Sequence, residues 1–387
     1  MTTTPARHSQ VAGAGNRSRR KGGIRRGEGL SGWLLTAPVL IAIVLFLVIP
    51  IIIAAWVSVS DYRGRGNPFA SAVNFIGLKN YAALTVGGGL DVKTFGWAMR
   101  NTLWYVILVV PIQTAVSLFL ANLVNGARLR GRGFFRTAFY FPSVTSAVAI
   151  TVLWMFLFSG SGAVNRVLAW IGIHGPNWFN DPQGIITALL SGLGIKNGPS
   201  MLVNHGFLSV SWWNWIGGPS WAMSALMIQA IFTTSGTFML LFIAALQNLS
   251  PEVDEAAIVD GANGWQRFWR VTLPQLKPTI FTVVTLGLIG CWQVFDSIYT
   301  ATKGGPGNTT LTPAYLSYQA GFQNTKWGEA CAIAFILLVI IIIFTLLQWT
   351  VLREKPDISR TERRRVKAAT KMASAQIRVS QDEVMAR

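Results

Sequence analysis

Long runs of apolar residues without charged side chains dominate this chain of 387 residues. A helix needs about 20 apolar residues to cross a bilayer, and six runs reach that length. They lie near residues 33–57, 101–124, 137–159, 221–246, 278–298 and 330–352. Because backbone polar groups in lipid must be paired within the segment, these runs predict helices. We therefore predict an all-α, polytopic membrane protein with six transmembrane helices within residues 31–355.

The first apolar run is longer than the core of a secretory signal. Residues 29–60 contain no charged side chain, whereas the apolar region of a signal peptide has about 7–15 residues. We therefore predict that this run is retained as a membrane span.

The segment from about residue 160 to 220 differs from the apolar runs because it is rich in Gly, Pro and Trp. Residues 183–195 are apolar but cover only about half a span, which predicts a surface-lying or re-entrant helix. A tryptophan cluster follows, at Trp212, Trp213, Trp215 and Trp221. Tryptophan is enriched at membrane interfaces, so one interpretation is an interfacial belt. The alternative is a surface that stacks on sugars or docks a partner.

Charge is scarce and concentrated at the two ends. Charged residues make up 12% of the chain and hydrophobic residues 51%, whereas soluble domains carry about 25% charged residues. Of the 33 Lys and Arg, seven lie in residues 1–31 and ten in residues 353–387. The net charge of +18 therefore reflects basic flanks of a membrane domain, which meet anionic lipid. This distribution argues against a nucleic-acid partner.

Six spans place both termini on the same side of the membrane. If that side is the cytoplasm, the cytoplasmic segments hold 24 of the 33 Lys and Arg, as the positive-inside rule requires. We predict a bacterial inner-membrane protein with a disordered basic tail (1–30) and a basic C-terminal tail (356–387) in the cytoplasm. The same topology makes 160–220 an extracytoplasmic insertion and 251–278 a cytoplasmic loop.

The loop 251–278 has a distinctive spacing of residues. Glu255-Ala256-Ala257 is followed after three residues by Gly261, and after nine more by Val271-Thr272-Leu273-Pro274. The acids at its start suit a helix N-terminus, the alanines favour a helix of small cross-section, and Gly261 is expected to end it. Leu273-Pro274 is expected to stop a second helix before the next span. A short helix with small side chains suits insertion into a groove on another protein.

This spacing resembles the E-A-A-x3-G-x9-I-x-L-P signature loop of ABC importer permeases, with Val271 in place of isoleucine. The resemblance covers roughly residues 30–352, apart from part of 190–220, which looks inserted. Gly304-Gly305-Pro306 resembles the carbohydrate-uptake branch of that family. The resemblance implies a type I ABC importer permease fold in which the loop is the coupling helix for an ATPase. The residues it assigns to ATPase coupling are Glu255, Ala256, Ala257, Asp260, Gly261, Leu273 and Pro274.

The resemblance also implies partners: a second permease subunit, usually a different chain, an ABC ATPase dimer, and an extracytoplasmic substrate-binding protein. ATP and Mg²⁺ would be bound by the ATPase, because this sequence has no G-x-x-x-x-G-K-[ST] phosphate loop. We therefore predict that the chain is not an enzyme and carries no cofactor, catalytic residue or metal site of its own. Its two cysteines, Cys291 and Cys331, lie in apolar sequence without metal-ligand spacing.

Five residues are candidates for the substrate path. Asp296 is the acidic residue near the outer end of a predicted span, and ionisable residues in membranes face the interior of the helix bundle. Gln293 and Tyr299 are predicted to share its helix face and to hydrogen-bond a neutral sugar, with Trp154 or Trp292 as an aromatic platform. The alternative is that Asp296 caps the helix end or pairs with a neighbour.

The prediction of the substrate class depends on the absence of basic residues from the predicted spans. No Arg or Lys lies inside a predicted span, whereas a phosphorylated substrate would require such a partner. A di- or oligosaccharide is therefore preferred over glycerol 3-phosphate or another small solute carried by the same machine. A secondary transporter is a remoter alternative, because no relay of intramembrane charges is evident.

Overall fold

A computed structural model describes residues 26–352, apart from residues 88, 127–128 and 196–197. Residues 1–25 of the predicted N-terminal tail and the whole predicted C-terminal tail, 356–387, lie outside the described residues. The chain divides into two compact units, one ending at Trp56 and the other beginning at Val57.

The first unit holds most of the N-terminal span. Helix α1 covers Arg26–Ile43, a π-helical turn covers Val44–Val48, and α2 covers Ile49–Ser58. The stretch Gly32–Ser58 has a mean hydropathy of 3.2 and is long enough to cross a membrane, as the apolar pattern predicts. Helix α1 begins at Arg26, within the range 1–30 for which the sequence predicts disorder.

The second span is longer than predicted. After the short helix α3 (Lys79–Thr85), helix α4 runs over Leu90–Asn125 and contains 36 residues. At 1.5 Å per residue it is about 54 Å long, well beyond the ~30 Å of a hydrocarbon core. The predicted span, 101–124, is therefore only the C-terminal two-thirds of this helix.

The third predicted span, 137–159, is not one straight helix. Helix α5 covers Arg132–Val144, α6 covers Ala147–Leu157, and the two are bent by 98°. Thr145 and Ser146 between them have ψ angles of 150° and 128°, which interrupt the helical hydrogen bonds. The sequence predicts one span here, and the structure divides that region into two helices. The described residues contain five helices long enough to cross a membrane, or six spans if the bent pair counts as one.

The predicted insertion, about 160–220, folds into short elements. In chain order they are α7 (Ala163–Trp170), a 3-10 turn (Trp178–Asn180), α8 (Ile185–Gly192), α9 (Ser200–Asn204), β1 (Gly206–Phe207), β2 (Val210–Ser211) and α10 (Trp212–Ile216). Strands β1 and β2 pair antiparallel with Phe207 opposite Val210. Helix α8 lies within the apolar segment 183–195, where the sequence predicts a helix.

Helix α4 anchors this insertion through polar side chains. Arg100 donates from Nε to the carbonyl oxygen of Asn214 at 2.6 Å and from a terminal nitrogen to that of Gly218. The indole nitrogen of Trp104 donates to the carbonyl oxygen of Trp215 at 2.8 Å. Arg100 is 4% exposed and lies inside α4, so the expectation that no Arg falls within a span holds for 101–124 but not for the whole helix.

Three further spans complete the bundle. The fourth is α11 (Trp221–Gln247), which packs along α4. The loop after it contains α12 (Pro251–Val259), α13 (Gly264–Arg267), a π-helical turn (Phe268–Thr272) and α14 (Leu273–Gln275). The fifth span consists of α15 (Lys277–Trp292) and α16 (Asp296–Ala301). The last elements are α17 (Pro313–Tyr318), a π-helical turn (Gln319–Gln323) and α18 (Trp327–Leu352), the sixth span.

Close helix packing holds the bundle together. The largest apolar cluster draws buried side chains from α4, α11, α15 and α18, among them Phe95 and Trp292. In lipid, van der Waals packing of small residues takes over much of the role that apolar burial has in water. Gly236 of α11 is such a residue, because a side chain there would overlap the backbone of Phe139 in α5.

Candidate transport cavity and coupling segment

A cavity of about 450 Å³ lies among α4, the broken third span, α11 and the fifth span. It is bordered by two breaks between helices. One separates α5 from α6 at residues 145–146, and the other separates α15 from α16 at residues 293–295. Its polar lining residues are Gln113, Ser143, Thr145, Thr151, Gln229, Thr233, Thr234, Thr237, Gln293, Asp296 and Ser297. A polar cavity of this size inside an apolar bundle is a candidate path for a hydrophilic solute, since lipid-facing surfaces do not tolerate such groups.

Two buried glutamines provide the most distinctive chemistry of the cavity wall. Gln113 of α4 is 1% exposed and Gln229 of α11 is 5% exposed. Gln229 donates from Nε2 to Thr151 Oγ1 at 2.7 Å. Gln113 Nε2 and Gln229 Oε1 have no hydrogen-bond partner among the described residues. Both atoms are closed to solvent in this conformation. A buried polar atom without a partner costs several kcal/mol in an apolar medium, so each atom favours a rearrangement of the wall that brings it a hydrogen-bonding partner such as a ligand hydroxyl.

A glycine makes room for one of these amides. An added Cβ at Gly287 of α15 would overlap Gln113 Nε2. The Gln113 amide therefore reaches into the helix–helix contact at a place that any larger residue would close.

The electrostatics of the cavity favour a neutral ligand. Among its lining residues, Asp296 is the one acidic side chain, and no Lys, Arg or His lines the wall. Asp296 is exposed and is the first residue of α16, where the helix dipole favours a carboxylate. A phosphorylated solute would meet a negative charge without a basic partner.

The structure brings two of the five predicted path residues to the cavity, Gln293 and Asp296. Asp296 and Tyr299 lie three residues apart in α16 and share a helix face. Gln293 does not share it, because it lies between the end of α15 at Trp292 and the start of α16. Tyr299 instead packs against Phe295 and Tyr318, with ring centroids 5.5 and 5.4 Å away.

The two predicted platform residues lie in the packed interior. Trp154 stacks on Phe158 at 5.4 Å and donates from its indole nitrogen to Ala225 O at 3.1 Å. Trp292 is buried and its ring centroid lies 5.3 Å from that of Phe344. Neither lines the cavity, whose aromatic lining residues are Tyr105, Phe238 and Phe295.

Sequence reasoning missed Gln113, Thr151 and Gln229. The spans were located by the absence of charged residues, and neutral polar side chains do not interrupt such windows. The available signal was the presence of two glutamines in otherwise apolar runs, since polar residues inside membranes usually face the bundle interior.

The coupling segment begins with α12, which has Pro251 at its first turn together with Glu252 and Asp254. Glu255 and Ala256 are exposed, Ala257 is half-buried, and α12 buries none of its side chains within the described chain. Exposed small and acidic residues on an unburied helix fit a surface for another protein.

The end of α12 has the geometry that the sequence predicts. The amide of Asp260 donates to Ala256 O at 2.9 Å and that of Ala262 to Ala257 O at 3.0 Å. Gly261 between them has φ of 79°, a left-handed conformation that favours glycine at a helix C-terminus.

A second short helix follows and is tied to the first. Asn263 and Gln266 form a reciprocal capping box at the start of α13, with bonds of 2.8 and 3.0 Å. Arg267 Nε lies 3.2 Å from Asp254 Oδ1, an ion pair that links α13 to α12. Trp265 is 71% exposed and its ring lies 5.4 Å from that of Trp269. These contacts hold an exposed aromatic pair beside α12.

Leu273 and Pro274 do not stop the helical path as the sequence predicts. Both belong to α14, and the amide of Leu276 after it still donates to Thr272 O at 3.1 Å. Proline is tolerated in the first turn of a helical segment because its missing N–H needs no partner there. Leu276 is fully buried and connects the segment directly to α15.

Comparisons with known proteins agree with this architecture. The family described as binding-protein-dependent transport system inner membrane component matches residues 113–353. The lactose transport system permease protein LacF of Rhizobium radiobacter is 30% identical over 86% of this chain and 97% of its own. The trehalose/maltose transport system permease protein MalF of Thermococcus litoralis is 27% identical over 85% and 96%.

A solved structure extends the likeness to the fold. A chain of a bacterial ABC transporter involved in the import of the acidic polysaccharide alginate superposes with a TM-score of 0.62. The two chains share 22% sequence identity, and the match covers 84% of this chain and 97% of the other.

Proposed function

The chain belongs to the family of binding-protein-dependent transport system inner membrane components, and from that premise we propose that it is the permease subunit of an ATP-driven sugar importer. Its helical, multi-pass structure has the type I ABC importer permease fold. The observation that carries the substrate class is the neutral cavity with two unpaired glutamine amide atoms.

Sugars suit this cavity for chemical reasons. A sugar hydroxyl both donates and accepts, so it can satisfy Gln113 Nε2 and Gln229 Oε1 together with the threonines of the wall. The permease relatives named for lactose, trehalose/maltose and arabinooligosaccharides support a di- or oligosaccharide. The lining carries no basic side chain for a phosphate, so no observation favours glycerol 3-phosphate.

Energy for transport would come from a separate ATPase. The exposed helix α12 and the adjacent Trp265 and Trp269 form a compact surface suited to a cleft on such a subunit. We assign contact with the ATPase to the residues that match the signature loop: Glu255, Ala256, Ala257, Asp260, Gly261, Leu273 and Pro274. ATP and Mg²⁺ would be held by that subunit, and its closure would switch the cavity by alternating access.

The proposed topology places both termini and α12 in the cytoplasm, following the basic flanks of the chain. A second permease subunit would complete the path, and an extracytoplasmic binding protein would deliver the sugar. The alternating helices then place the α7–α10 insertion and the loop after α16 on the outer face.

The test is purification of the chain with the products of its neighbouring genes, followed by ATPase assays against a panel of sugars and glycerol 3-phosphate. Stimulation of ATP hydrolysis by a sugar, lost in Glu255→Lys, is the expected result. Stimulation by glycerol 3-phosphate alone would keep the importer and overturn the substrate class. Absence of a co-purifying ATPase would overturn the role of α12.

A further inference from the structure

Two short helices of the insertion present apolar faces that the described part of the chain leaves uncovered. In α7, Val164 and Leu168 pack against the aromatic cluster around Trp178. At about 100° per residue, Trp170 (85% exposed) lies opposite that face, and Val167 (54% exposed) lies at its edge. Helix α7 therefore presents apolar side chains both toward the protein and away from it.

Helix α8 repeats this arrangement. Leu189 is 66% and Leu193 79% exposed, and residues four apart lie on the same face of a helix. Ile171 and Ile173, which follow α7, are also exposed. Such a concentration of exposed large apolar side chains marks a surface that is covered in the native environment.

Hydrogen bonds hold the start of α8 beside the end of the fourth span. The amide of Ile185 donates to Pro219 O at 2.9 Å, and the amide of Trp221 donates to Gln183 O at 3.2 Å. Trp221 is the first residue of the fourth span, so α8 starts next to the end of that span.

Helix α7 is also held beside the ends of spans. Trp178 donates from its indole nitrogen to Asn165 Oδ1 at 2.8 Å. Its ring packs edge-on against Phe158, at the end of the third span, and against Trp221, with centroids 5.1 and 5.5 Å away. Both helices therefore lie beside the ends of membrane spans rather than far out in the aqueous phase.

The charge pattern matches a lipid interface. Between residues 163 and 216 the sequence contains three Lys, Arg, Asp or Glu residues, which are Arg166, Asp181 and Lys196. Arg166 is exposed on the outward face of α7, one turn before Trp170, and its long basic side chain can reach a phosphate headgroup. Trp and aliphatic residues on a short helix with few charges are typical of segments that lie in the headgroup region.

We propose that α7 and α8 form an apolar collar, consisting of Val167, Trp170, Ile171, Ile173, Leu189 and Leu193, that lies in the headgroup–acyl boundary of the membrane. The collar occupies the membrane face opposite α12. It makes the bilayer, rather than a soluble protein, the partner of this part of the insertion, and the proposal does not depend on which solute the cavity carries.

The test uses the full-length chain in phosphatidylcholine–phosphatidylglycerol proteoliposomes, with Cys291→Ala and Cys331→Ala as background. Val167→Cys and Leu193→Cys carry a nitroxide spin label, and power saturation compares oxygen with a water-soluble nickel chelate. Asn204→Cys, at an exposed polar position of α9 in the same insertion, is the matched control. The expected result is loss of nickel accessibility with high oxygen accessibility at both collar positions, and nickel accessibility at Asn204→Cys.

Three outcomes would overturn the collar. Nickel accessibility at Val167→Cys and Leu193→Cys equal to that at Asn204→Cys would place the helices in water. Labels that neither reagent reaches would indicate that a second copy of this chain covers the surface. Nickel accessibility that disappears when an extracytoplasmic binding protein is added would assign the surface to that protein.

Discussion

Gln229 Nε2 donates a 2.7 Å hydrogen bond to Thr151 Oγ1, which joins the fourth span to the second half of the broken third span. The Thr151 hydroxyl in turn donates to Ala147 O at 2.8 Å. This chain of bonds holds the Gln229 amide in place and leaves its Oε1 without a partner among the described residues. The bend in the third span thus serves to position a polar group at the cavity.

The first prediction concerns that amide. Gln229→Leu removes one acceptor for the substrate while the Thr151 hydroxyl keeps its bond to Ala147. Loss of one uncharged hydrogen bond costs about 1 kcal/mol, so we expect the sugar concentration for half-maximal uptake to rise about five-fold. Uptake of labelled sugar by proteoliposomes containing the assembled importer, measured against concentration, checks this.

The matched control is a glutamine away from the cavity. Gln348 of α18 is also buried and donates to Phe281 O at 3.0 Å and to Thr285 Oγ1 at 2.8 Å. Gln348→Leu should lower thermal stability by about 1 kcal/mol without changing the half-maximal concentration. An equal rise in both variants would contradict the assignment of Gln229 to the substrate path.

The second prediction tests the space beside Gln113. Gly287→Ala puts a methyl group where the Gln113 amide nitrogen lies. Overpacking of this kind costs about 1–3 kcal/mol and displaces the amide from the wall, so uptake should fall although the protein still inserts. Gly290→Ala is the comparison, because Gly290 of the same helix also lines the cavity, but a Cβ there meets open space and leaves the Gln113 amide in place. Uptake that falls equally in both variants would point to a general effect on α15.

The positions of the spans could be predicted from the sequence because charged side chains are costly in lipid, so the stretches without them mark the spans. The bend between α5 and α6 could not, since a hydropathy window records the composition of 137–159 and not its path. The length of α4 was missed for a related reason. Asp91, Lys93 and Arg100 end a charge-free window, yet the helix continues because its first turns lie beside the insertion.

The residues of the candidate site also include some that the sequence predicts and others that it does not. The end of α12 at Gly261 is encoded locally, by a residue that tolerates positive φ, and was predictable. The cavity wall depends on contacts between α4, α11 and the broken span, so Gln113 and Gln229 could not be paired from one sequence. Trp154 and Trp292 looked like platform residues in isolation, but their surroundings make them packing residues.

The third prediction concerns the link between α4 and the insertion. Arg100→Leu leaves the carbonyl oxygens of Asn214 and Gly218 without their guanidinium donor. Hydrogen bonds to charged groups contribute about 1.5–3 kcal/mol each, so the insertion should loosen and be cleaved faster in limited proteolysis within 198–217. Trp104→Phe, which loses one neutral bond to Trp215 O, should have a smaller effect. Unchanged cleavage in Arg100→Leu would show that this part of the insertion is held by other contacts.

The fourth prediction isolates backbone conformation in the coupling segment. Gly261 and Gly264 both have open space where a side chain would start, but Gly261 has φ of 79° whereas Gly264 does not have positive φ. A side chain in the left-handed region costs about 1–2 kcal/mol, and more for a β-branched residue. Gly261→Val should therefore distort the end of α12 and uncouple ATP hydrolysis from uptake, with membrane insertion intact. Gly264→Val should behave like the unmodified protein, and the ratio of sugar transported to ATP hydrolysed measures both. If the two valine variants lose coupling equally, side-chain bulk at the ATPase contact, not the turn at Gly261, governs the effect. If neither does, the end of α12 is not what transmits ATPase closure to the cavity.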